Sequence, residues 1–122
     1  MSNRQMGFTL AELLIVVAIL ALLLSVLIPS VAGARRNSIN TASQVYAKNM
    51  TQWVTSWLAQ DQTRSVDDLE TDCTHSSYVG EGAKSTLPSF IASCEVLKHP
   101  NGNGTFGATI TTTTGSTQTF YQ

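Results

Sequence analysis

Charge is scarce in this chain: 12% of its 122 residues are Asp, Glu, Lys or Arg, and the formal net charge is -1. Binding nucleic acid through its phosphates needs a dense cationic surface, whereas Lys48, Arg64, Lys84 and Lys98 are scattered. Strong DNA or RNA binding is therefore not expected. The two histidines, His75 and His99, have no nucleophile elbow or paired-base arrangement near them, so no reaction and no cofactor are implied. Proline is sparser still, with three residues, and none interrupts residues 31–60, so nothing there breaks a helix. Large apolar residues are few beyond residue 60, so the folded part is small.

Apolar residues are instead concentrated at the start. Residues 8–34 carry one charge, Glu12, and include the run LLIVVAILALLL with no polar side chain. At the helical rise, residues 13–28 cover about 24 Å and residues 8–28 about 32 Å, enough to cross a hydrocarbon core. This stretch belongs in lipid.

Residues 35–60 continue with helical periodicity. Ile39, Ala42, Tyr46, Met50, Trp53 and Trp57 recur three or four apart, and Val54 and Leu58 widen the stripe. The spacing predicts one rod of about 50 residues, bent at Pro29, where a ladder hydrogen bond is missing, with Gly33 as a second weak point. Helical spacing makes Trp53 and Trp57 core residues rather than base-stacking ones. From residue 61 to about 88 the periodicity is lost and Asp61, Asp67, Asp68, Glu70 and Asp72 gather, which reads as a solvated connection with at most a short helix. Calcium is the competing reading of these acids, but no position-specific glycine-containing loop accompanies them.

Residues 90–97, 105–113 and 117–121 have strand chemistry, separated by the turn cluster HPNGNG and by Gly115-Ser116. Phe106, Ala108 and Ile110 alternate with Gly107, Thr109 and Thr111, as in an antiparallel sheet with one solvated face. The expected fold is α+β: a long N-terminal helix packed on a small antiparallel sheet of three to four strands. Its divisions are residues 1–7, a leader; 8–34, the apolar helix; 35–60, its amphipathic half; and 61–122, the head.

Cys73 and Cys94 are read as a disulfide, which implies an oxidising compartment. Closing a loop of about 20 residues removes denatured-state entropy worth roughly 3 kcal/mol. Zinc is the alternative, with Cys73, His75, Cys94 and His99 as ligands, but Cys-x-His is tighter than ordinary paired-ligand spacing. Free thiols are the third reading.

The order Arg4, Gly7, Phe8-Thr9-Leu10-Ala11-Glu12, then a long apolar run resembles the class III signal of type IV pilins and pseudopilins over the first 35 residues or so. The resemblance implies a prepilin peptidase that cuts after Gly7 and methylates the new amine at Phe8. A carboxylate in an apolar helix costs several kcal/mol unless paired, and the new amine lies one turn from Glu12. At an effective dielectric near 20, charges about 4 Å apart attract by about 4 kcal/mol, so Glu12 would register docking by also neutralising a neighbouring subunit's amine. The resemblance further implies a homopolymeric helical filament, assembled by inner-membrane machinery from a precursor held in the lipid of the inner membrane. It also implies melting near Ala21, Ser25 and Pro29 in the fibre. Many pilins bridge a C-terminal loop, whereas these cysteines lie before and within the first strand, so an adhesive role of that loop does not carry over.

Three functions follow for comparison. A pilus subunit on the cell surface would serve twitching motility, adhesion or DNA uptake. A type II secretion pseudopilin would form a short periplasmic fibre. A secreted binding domain would follow an ordinary signal peptide cut at Ala32-Gly33-Ala34, but that reading mismatches the long apolar run, Glu12 and the weakly basic leader. A plain membrane-anchored binding head would leave Glu12 unexplained. Asn49-Met50-Thr51 and Asn103-Gly104-Thr105 fit the weak pattern of a glycan acceptor.

Overall fold

The computed structural model describes residues 7–102 and 104–122. The expected leader apart from Gly7, and Asn103 of one glycan pattern, lie outside them. In chain order come helix α1 (Leu10–Ala59), a 3-10 turn (Val66–Asp68), the one-turn helix α2 (Ser76–Val79) and strands β1 (Ile91–Lys98), β2 (Phe106–Thr112) and β3 (Thr117–Tyr121). The class is α+β, as the periodicities require. Two compact units divide between Arg35 and Arg36.

In the first unit every described residue is exposed. The reason is compositional: a single helix that is apolar all round has no polar face to turn to water and nothing of its own chain to pack against. Helical backbone continues through Pro29, which leaves the Ser25 carbonyl without its usual amide partner.

The second unit has a core. Tyr46, Ala47, Met50 and Val54 of α1 meet Ile91, Cys94, Val96, Phe106, Ala108 and Ile110 of the sheet. The expected stripe supplies Tyr46, Met50 and Val54 to the core, with Trp53 and Trp57 half-buried against its margin, and Ser43, Ala47 and Thr51 are enclosed beside it. Small residues let the helix backbone approach the sheet, and the two hydroxyls bond to their own helix, Ser43 to Asn40 O and Thr51 to Lys48 O, both at 2.8 Å.

The strands form an antiparallel meander in the order β1-β2-β3, with Cys94 opposite Ile110, Val96 opposite Ala108, and Ala108 opposite Phe120. On the outer face Thr109 bonds to Thr119 and Thr111 faces Thr117, the threonine ladder that the alternation predicts. Gly107 has no substitute there, because a Cβ would sit 2.5 Å from the Tyr121 ring. Gly115, at φ 83°, turns β2 into β3. A further bridge pairs Asp72 with Glu95, and Val96 N donates to Thr71 O at 2.8 Å, so the connection covers part of the outer edge of β1.

That connection is more than a surface wrap. Tyr78, Cys73 and Ala83 are buried in the core, and the Tyr78 hydroxyl donates to Glu70 O at 2.8 Å. Burial pushes the Tyr78 pKa up to about 12. The acids around it close local turns. Asp61 accepts from the Thr63 amide, Asp72 from the Thr74 amide and Asp68 from the Ser65 amide, and Asp67 pairs with Lys98 at 2.9 Å. The Thr63 amide holds the Asp61 carboxyl below its usual range, the Thr74 amide does so for Asp72, and the Lys98 ammonium does so for Asp67. Arg64 supplies the cation that the last turn of α1 lacks, donating to Trp57 O at 2.7 Å and stacking 4.4 Å above the Trp57 ring.

Candidate assembly face

Phe8 is 86% and Leu10 80% exposed, and the apolar side chains from Leu13 to Val31 follow them into solvent without interruption. A surface of that extent is unstable in water and marks contact with lipid or with other helices. Length and composition allow this part of α1 to cross a membrane.

The only charge in this apolar stretch is held by local geometry. Thr9 stands just before the first helical residue, and its hydroxyl accepts from the Glu12 amide at 3.2 Å. In return Glu12 Oε2 accepts from the Thr9 amide and the Thr9 hydroxyl, each at 2.9 Å. This is a reciprocal capping box, which satisfies amides that the first turn would otherwise leave unpaired. Thr9 thus gives the Glu12 carboxylate a hydrogen-bond partner within its own chain. Both contacts fall on Oε2, and Oε1 has no hydrogen bond among the described residues, which leaves it open to another donor. Thr9 was readable as Thr-x-x-Glu ahead of an apolar run, a pattern that the peptidase motif overlies.

Ala21, Ser25 and Pro29 are all helical in the isolated chain. Ser25 Oγ donates to Leu22 O at 2.7 Å, a bond that competes with the helix ladder. Far along the chain, Cys73 and Cys94 form a disulfide with their Cα atoms 5.7 Å apart, which rules out both the zinc reading and free thiols. It ties the connection to β1.

Residues 2–28 match the prokaryotic N-terminal methylation motif. Over 112 residues the chain is 30% identical to the type IV wide pilus major component PilA4 of Thermus thermophilus, covering 84% of this chain and 80% of the relative. The chain belongs to the type IV pilin family. No solved structure gave a significant match. In this pilin the matched motif ends at residue 28, one short of Pro29, so it spans the capping box and most of the exposed apolar surface.

Proposed function

We propose that this pilin is a structural subunit of a type IV pilus, without a reaction of its own. A prepilin peptidase cuts the precursor after Gly7 and methylates the amine of Phe8. The apolar half of α1 holds the precursor in the inner membrane, and assembly machinery moves it into a cell-surface homopolymer. There the helices pack against one another, so one apolar surrounding replaces another and the gain comes from packing and charge pairing. The observation that carries the reading is an exposed apolar half-helix whose single carboxylate sits in the first turn with Oε1 unpaired among the described residues.

In the fibre Glu12 Oε1 accepts from the Phe8 amine of its own or an adjoining subunit, which makes correct register the only one without an uncompensated charge. Melting around Ala21, Ser25 and Pro29 lets the fibre extend under load. The missing Pro29 amide and the Ser25 side-chain bond make that turn the weakest of the apolar half. The relative's name, a pilus major component, favours the pilus over the secretion pseudopilin. Twitching motility, adhesion and DNA uptake are the activities such a fibre would serve.

The test is fibre recovery from cells that express Glu12→Ala. Membrane-resident subunit with an intact disulfide and no sheared fibre supports the pairing, and wild-type fibre yield contradicts it.

A further inference from the structure

A polar cleft of about 320 Å³ lies where α1 meets the β2–β3 turn, lined by Arg36, Asn40, Thr114, Gly115 and Ser116. Three of its features point to one kind of ligand. Arg36 is exposed and makes no salt bridge among the described residues, so a cation is available. Asn40 Oδ1 is buried and accepts no hydrogen bond among the described residues, which is costly unless a donor comes from outside them. Gly115 has open space where a Cβ would point, and its positive φ excludes other residues without strain, so the wall of the cleft stays low.

Its place along the chain supplies the source of the ligand. With Glu12 at one boundary of a hydrocarbon core, about 20 helical residues reach the other near Ala32. Arg36 follows four residues later in the sequence, just beyond the stretch that belongs in lipid.

We propose that this cleft holds the phosphodiester headgroup of a membrane phospholipid whose free end carries a hydrogen-bond donor, as in phosphoethanolamine or phosphoglycerol. The Arg36 guanidinium pairs with the phosphate, for which its fork of donors is suited. The ammonium or hydroxyl at the end of the headgroup donates to Asn40 Oδ1. A choline headgroup has the same phosphate but no donor, so it leaves Asn40 unsatisfied. The inference rests on the precursor being held in a membrane, and it assigns the cleft a task before assembly: seating the head on the bilayer surface.

The experiment is native mass spectrometry of the full-length chain released from nanodiscs of phosphatidylcholine mixed equally with phosphatidylethanolamine. Both lipids are zwitterionic, so net charge does not separate them. The wild type retains phosphatidylethanolamine about tenfold over phosphatidylcholine, the effect of one charge-assisted hydrogen bond. Asn40→Ala abolishes the preference, Arg36→Gln lowers retention of both lipids, and Arg35→Gln, which removes the same charge outside the cleft, changes neither. Soluble glycerophosphoethanolamine at the same concentration is not retained. Melting of the head, followed by near-ultraviolet dichroism, is the same in all the variants.

Equal retention of the two lipids overturns the proposal, as does an Arg35→Gln effect matching that of Arg36→Gln. Retention of the soluble headgroup equal to that of the lipid overturns its membrane origin. Either failure in chain that stays in the nanodisc and whose cellular form carries methylated Phe8 bears on the cleft alone. A chain that does not enter nanodiscs removes the membrane-held precursor itself.

Discussion

In the first turn of α1 one carboxylate closes the capping box and, on the proposed reading, pairs with an amine, and a single substitution can separate the two. Glu12→Gln keeps an oxygen for the Thr9 amide and so keeps the capping box, but it carries no charge to pair with an amine. Helix protection by amide exchange at residues 10–13 is expected to be unchanged in membrane-reconstituted Glu12→Gln, while fibre yield falls as in Glu12→Ala. Normal yield would mean that Glu12 serves only as a cap. Thr9→Ala does the reverse, costing about 1 kcal/mol of helix-end stability with the charge in place, and Thr9→Ser restores most of it. In the head, Tyr78→Phe removes the hydroxyl that donates to Glu70 O and should lower unfolding free energy by about 1 kcal/mol, measured by urea titration of the chain from residue 36 onward.

Among the elements, α1 and the three strands were legible from an apolar period or run and from the turn residues that bound the strands. The helix recurs at three and four residues, and β2 alternates with threonine. The small residues Ser43, Ala47 and Thr51 of the inner face of α1 were not legible, because they carry no hydrophobic signal and are enclosed by the closeness of the sheet. Tyr78 was missed for a related reason: a lone aromatic among Ser, Thr, Gly and acids has no period to join. Two outcomes check this packing. Ala47→Leu, at a fully enclosed position, should cost about 1–3 kcal/mol by overpacking. Gly107→Val should cost at least as much, since its side chain meets the Tyr121 ring and the Phe120 carbonyl, and thermal melting would register both. The Glu12 site was legible as a charge out of place. The Arg36 cleft was not, because the 114–116 turn reaches Asn40 only through the fold.

For the molecule as a whole, stability should depend on pH at both extremes. Asp61, Asp67 and Asp72 have folded pKa values below their ordinary ones, so their contribution is present above about pH 4 and is lost as pH falls through the folded values. Tyr78 is shifted the other way, to about 12, so its contribution is complete below about pH 10 and disappears as pH rises toward that value. Head unfolding followed against pH should show a plateau with both limbs. Reduction of Cys73–Cys94 should lower the plateau by about 3 kcal/mol, because the bridge closes a separation of 21 residues. On the proposed reading, cleavage before Phe8 supplies the amine that pairs with Glu12. The most direct measurement is the intact mass of this chain in fibres sheared from the cell surface. The mass should be that of residues 8–122, with the disulfide formed and one methyl group added at the amine of Phe8. A chain that retains Met1, or one that begins at Arg35, would contradict the account.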